Sequence, residues 1–165
     1  GLSTYYIKSQ FPNLKVLLVE PSLSNINLAK INLNLYSDID FENVAVWSKV
    51  CNLKLNSNFR DGLPWSYQFE YSTNHDRSSI AATTIDSLIK KYQINHIDFL
   101  KIDVEGAEFE IFDENSPKEF LNITKVISIE IHSEIGNSDF IFDALKLAKF
   151  HILCSGELII GIKND

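Results

Sequence analysis

Asp98-Phe99-Leu100-Lys101-Ile102-Asp103-Val104-Glu105-Gly106-Ala107-Glu108 is the stretch that decides the fold. Ile97 to Val104 reads as a strand buried within a sheet, and Glu105-Gly106-Ala107 opens a helix. Asp103 and Glu105 project to one side if the strand continues, because side chains alternate with period two. Gly106 permits a tight turn into the helix. Two carboxylates so placed could meet a cationic ligand, a substrate hydroxyl or a metal. They could equally be a strand-end acid followed by acids that favour a helix N-terminus.

Working outward, strand-like and helix-like periods alternate, the mark of an α/β domain. Leu2 to Phe11 reads as a short helix, Val16 to Val19 as a strand buried on both faces, and Glu20-Pro21-Ser22 ends that strand. A helix follows with Leu28, Ile31 and Leu35 on one face, then a strand from Phe41 to Trp47. Ser48 to Arg77 reads as a β-hairpin with a loop, an excursion from the main sheet in which Trp65, Tyr67, Phe69 and Tyr71 alternate. Thr83-Thr84-Ile85-Asp86 resembles a helix start with an acid at capping-box spacing. Ile85, Leu88, Ile89 and Tyr92 then carry the helical period. Val126, Ile127, Ile129 and Ile131 form a further strand, and Ile141, Ala144, Leu145 and Ala148 a last helix. His151–Cys154 and Leu158–Ile162 close the chain as an antiparallel pair across Ser155-Gly156. The order predicts one domain over 1–165, with a mostly parallel sheet covered by helices on both faces. Such sheets place ligands at the carboxyl ends of their strands. Three polar clusters fall at such ends: Glu20, Asp103 with Glu105, and Glu130 with His132.

Composition narrows the classes. The 165 residues are 45 % hydrophobic and 22 % charged, enough for one sizeable core. A net charge of −7, with no basic cluster longer than Lys90-Lys91, argues against nucleic acid and anionic membrane as partners. No apolar run approaches the ~20 residues of a membrane span. Cys51 and Cys154 lack metal or redox spacing and read as buried thiols, a usage that suits a reducing, cytoplasmic compartment.

Each candidate residue has a bland counterpart. Glu20 could accept hydrogen bonds from both hydroxyls of a ribose, or simply cap the next helix. Gly1-Leu2-Ser3 could be the end of a glycine-rich turn that lets backbone approach a nucleoside. Glu130 and His132 flank Ile131 and face one way; a carboxylate beside an imidazole can orient a general base, or be a satisfied pair at a strand end. His75, His96 and His151 lack such company and read as surface or packing residues.

The segment from Asp98 to Glu108 closely resembles the signature of FkbM-type methyltransferases. Thr83-Thr84-Ile85-Asp86-Ser87-Leu88 looks like the family's preceding segment. Val19-Glu20-Pro21-Ser22 with Asn25 resembles its acidic second motif, Asn43-Val44-Ala45-Val46 its third strand end, and Ile127-Ser128-Ile129-Glu130-Ile131-His132 its late strand. The resemblance implies a class I (Rossmann-like) methyltransferase fold that binds S-adenosylmethionine; no residue is assigned to a metal. By it, Gly1, Ser3, Glu20, Pro21 and Asn25 would belong to the cofactor site, with Glu20 on the ribose. Val44 and Ala45 would lie near the adenine, and Asp103 and Glu105 would border the methionine end and the transfer site. His132, Asp103 and Glu130 are the candidate catalytic groups. The implied reaction is O-methylation of a hydroxyl on a small molecule or glycan: a sugar, a glycan or a secondary metabolite. The family's first strand and its Asp-x-Gly-Ala-type loop would precede Gly1, so the sequence is expected to lack that strand.

Three rival readings stand beside it. One is a metal-dependent hydrolase or transferase using Asp103, Glu105, Glu130 and His132. Another is a nicotinamide-dependent oxidoreductase, for which the required G-x-G-x-x-G loop is missing from the sequence. The third is a non-catalytic binding module.

Overall fold

The structure is a computed structural model that describes residues 1–54, 79–104, 106–132 and 136–164, and the backbone of 55–56 and 68–71. The chain forms two compact units, Gly1–Ala45 and Val46–Asp165.

The first unit is helix α1 (Leu2–Gln10), strand β1 (Val16–Val19), helix α2 (Leu23–Asn32) and strand β2 (Ile39–Glu42). β1 and β2 pair in parallel, Val16 opposite Ile39 and Val19 opposite Glu42. The Glu20 N–H extends the ladder to the Glu42 carbonyl at 3.0 Å. Ser22 caps α2, its Oγ accepting from the Asn25 N–H at 3.3 Å. The buried face of α2 is not the expected one: Ile26, Ala29 and Leu33 are covered, while Leu28, Ile31 and Leu35 are exposed. Both sets satisfy the helical period, so the period alone could not choose. Packing chose, because a Cβ on Gly1 would lie 2.9 Å from that of Ala29, and two small residues let the backbones approach there. The unit also buries Lys8 completely. Its Nζ donates to the carbonyls of Pro12 and Leu14, both at 2.7 Å, and ties the turn after α1 to that helix.

The second unit holds the end of β3 (Ala45–Val46), then β4 (Cys51–Asn56), β5 (Gln68–Tyr71), β6 (Ser79–Thr83), α3 (Ile85–Tyr92) and β7 (Ile97–Ile102). The short helices α4 (Glu108–Ile111) and α5 (Phe120–Ile123) follow, then β8 (Thr124–Glu130), α6 (Asp139–Leu147), β9 (His151–Ser155) and β10 (Leu158–Ile162). One sheet runs β7-β8-β10-β9 and another β3-β6-β4-β5. β7 and β8 are parallel, whereas β10 is antiparallel to both β8 and β9. The expected closing pair is therefore present, and β4–β5 is the expected hairpin. The fold is mixed α/β, with both parallel and antiparallel pairing in its sheets. Parallel pairing joins β1 to β2 and β7 to β8. Direct hairpin connections, such as Ser155 to Leu158, leave no room for the crossover that a parallel neighbour needs. The strand expected from Phe41 to Trp47 is also split, into β2 and β3.

Ile102, Ile111, Phe112, Phe120, Leu121, Ile127, Ile129, Ile131, Ile141, Leu145, Phe150 and Ile159 form the core of this unit. The helix start at α3 differs in detail from its reading. Thr84 is the cap, its Oγ1 accepting from the Ser87 N–H at 3.0 Å. Asp86 is turned inward, 5 % exposed, and accepts from the Phe120 N–H at 2.9 Å. It therefore serves the start of α5, a helix with no sequence signal strong enough to announce it. The two thiols also depart from expectation: Cys154 is exposed on β9 and Cys51 only half-buried. Among the described residues, no helix is long and apolar enough to cross a membrane.

Burial, only partly offset by the Phe120 N–H, pushes the Asp86 carboxyl above its ordinary range, and its Oδ2 is buried with no hydrogen bond among the described residues. A raised folded-state value gives stability that is present below the unfolded value and lost as pH rises through the folded one. Asp86→Asn keeps the acceptor for Phe120 and carries no charge. Its stability relative to the natural chain is expected to rise from about pH 4 to neutrality, measured by urea denaturation at several pH values. A difference independent of pH would show that Asp86 ionises as freely folded as unfolded.

Candidate active site

The first unit places one polar cluster just past β1. Glu20 is half-buried, and its Oε1 accepts from the Ser22 N–H at 2.8 Å. Asn43 donates its side-chain amide to the carbonyls of Glu20 and Pro21, both at 2.9 Å. The Glu20-Pro21 backbone is thereby clamped to the turn after β2, and the carboxylate is aimed by the Ser22 N–H. Asn43 was not among the expected site residues. Its signal was available, a side-chain donor beside Val44 at a strand end next to an acidic one. Val44 is half-buried and Ala45 buried. Asn25 is exposed and meets Ser22 through its backbone. Gly1 and Ser3 are exposed at the start of α1, and the side on which Gly1 lacks a Cβ faces Ala29. Helix packing therefore gives that glycine a reason of its own.

The second unit builds a second cluster past the carboxyl ends of β7 and β8. Ile102 stands opposite Ile129 in the parallel register, so both chains leave the sheet at the same level. Asp103 follows β7 and forms an ion pair with Lys101, two residues back on the same side of the strand. Gly106, at φ 97°, makes the turn into α4 in a conformation that a side chain would strain. Glu105 lies outside the described residues, as do Trp65, Tyr67 and His75; the backbone of Phe69 and Tyr71 runs in β5.

His132 does not take the partner that adjacency suggested. Its Nδ1 lies 2.5 Å from Oε1 of Glu108, the first residue of α4, and not on Glu130. Glu130 is the last residue of β8 and half-buried. The reason is geometric. Glu130 and His132 share a side of an extended chain, but α4 begins at the same end of the sheet and presents Glu108 to the ring. Glu108 is fully buried and His132 is 6 % exposed. Burial raises the Glu108 carboxyl above its ordinary range, opposed by its own N–H, by His132 and by the Gly106 N–H. Its Oε2 has no hydrogen bond among the described residues. The sequence signal for Glu108 was its place at the head of the face that buries Ile111 and Phe112. His96, expected to stand alone, lies 3.1 Å from Asp98, both exposed. His151 is exposed. Among the described residues, no three His, Cys, Asp or Glu side chains are grouped to hold a metal ion.

The methyltransferase FkbM domain matches residues 3–152, nearly the whole chain. The chain belongs to the FkbM methyltransferase family. Comparison with curated proteins and with solved structures matched nothing. In this FkbM methyltransferase, the family signature covers β7, the Gly106 turn and the start of α4, the segment that delivers both Asp103 and Glu108. The matched region also includes both polar clusters, from Glu20 to His132.

Proposed function

We propose that this FkbM methyltransferase has the class I fold and is an S-adenosylmethionine-dependent O-methyltransferase, acting on a hydroxyl of a sugar, glycan or secondary metabolite. The observation that carries the reading is the polar cluster of Asp103 and His132 past the carboxyl ends of the parallel pair β7–β8, where such sheets place ligands.

The residues present suit this cofactor. Glu20 is held through Oε1 by the Ser22 N–H, which leaves Oε2 to accept from a ribose hydroxyl. Asn43 fixes the backbone beneath it, while Val44 and Ala45 supply the apolar edge for adenine. Pro21, Asn25, Gly1, Ser3 and Glu105 complete the proposed set. The cofactor supplies a methyl group already activated on sulfur, so the protein's task is alignment and handling of one proton. His132 takes that proton from the acceptor hydroxyl as general base. Asp103 is the weaker candidate, because Lys101 already answers its charge. Its carboxylate, with Glu130, favours positive charge nearby.

Calorimetry with S-adenosylmethionine is the direct test. Glu20→Ala is expected to raise Kd about 10–100-fold, the loss of hydrogen bonds to a charged group. Transfer of labelled methyl to a panel of hydroxyl acceptors reads the reaction. Absence of cofactor binding by the natural protein would overturn the reading.

A further inference from the structure

We infer that Glu108 is a positioning residue for His132. It holds the imidazole by Nδ1 and fixes the tautomer that carries a proton there. The function of that base rests on the methyl-transfer reading above, while the ring–carboxylate arrangement stands on geometry alone.

Three observations carry the inference. The contact is short and buried, 2.5 Å between Nδ1 and Oε1, with side chains 7 % and 0 % exposed. A neutral imidazole has one donor and one acceptor nitrogen, so a carboxylate on Nδ1 makes that nitrogen the donor. Second, the placement is costly if it serves only packing. An acid buried at the head of an apolar helix face carries a desolvation cost that a leucine there would not. Glu108 stands in line with Ile111 and Phe112, both at most 3 % exposed, yet contributes an ionisable group. Third, the topology brings the pair to the ligand end of the sheet. The parallel register of β7 and β8 aligns their carboxyl ends, and Gly106 turns the chain so that α4 begins beside His132. Residues 24 apart in sequence thus meet where such folds do their chemistry. A carboxylate that orients a histidine leaves the proton-accepting step to the ring, and itself touches no substrate.

The test begins with the natural protein. Long-range nitrogen–proton NMR correlations, taken at a pH where the ring is neutral, are expected to show His132 protonated on Nδ1. Glu108→Gln is close in shape but can offer either its carbonyl or its amide to Nδ1. It is expected to give a mixture of tautomers and to lower kcat about 100-fold, with KM for cofactor and acceptor unchanged. A natural protein protonated on Nε2 overturns the inference, as does a Glu108→Gln protein with unaltered tautomer and kcat. Should the variant not fold, the measurement on the natural protein decides alone. Failure of the methyl-transfer reading looks different: the natural protein binds no S-adenosylmethionine, whatever the tautomer of His132.

Discussion

His132→Asn is expected to lower kcat for methyl transfer by about 100-fold or more while leaving the affinity for S-adenosylmethionine nearly unchanged. The choice of asparagine matters. Alanine would strand Glu108, fully buried and joined to the His132 ring. A stranded carboxylate costs stability, and a fall in rate could then be a fall in folded protein. The asparagine amide reaches about as far as Nδ1 and still donates to Glu108, but it offers no base. General-base loss is worth about 10²–10⁴ in rate, or at least ~2.7 kcal/mol of transition-state stabilisation. A weakened fold changes the active fraction, whereas a missing base changes kcat of folded enzyme. Single-turnover methyl transfer, normalised to the folded fraction by circular dichroism, separates the two. Full activity in His132→Asn would move the base to Asp103.

Phe120→Ala is expected to be the most destabilising single change in the second unit, at about 3–5 kcal/mol. Phe120 is 1 % exposed and meets Phe112 edge to face, ring centres 6.0 Å apart. Its N–H, held by Asp86, belongs to the backbone and survives the substitution. The ring alone is removed, so the result isolates packing from capping. A capping bond is worth about 0.5–2 kcal/mol, so the ring outweighs it as the anchor of α5. Urea denaturation measures the difference; a loss below about 1 kcal/mol would mean that the core closes over the cavity. Amide exchange should rise along β8, which begins where α5 ends.

Much of this was legible in the chain. The segments Val16–Val19 and Ile97–Ile102 became strands, though the first is half-buried throughout and only Ile102 of the second is buried; the period after Thr84 became a helix, and Ser155-Gly156 became a turn between antiparallel strands. Such signals are local, since they depend on alternation, capping and turn chemistry within a few residues. The pattern at Asp98–Glu108 likewise puts its polar residues at a strand end.

Other features were closed to local reading. On α2, Ile26-Ala29-Leu33 and Leu28-Ile31-Leu35 fit one period equally, and only the close approach at Gly1 settles which is buried. Lys8 is buried because the turn at Pro12–Leu14 folds its carbonyls onto Nζ, a contact no local pattern encodes. Asp86 reads as part of a cap until Phe120, 34 residues on, needs its oxygen. The sequence by itself determined the family, many of the elements and the polar strand ends. Tertiary structure decided who partners whom, giving His132 to Glu108 rather than to Glu130. The physical reason is that periodicity fixes the side on which a residue stands, while a hydrogen bond also requires a second element at the right height, and that height is set by the register of β7 on β8.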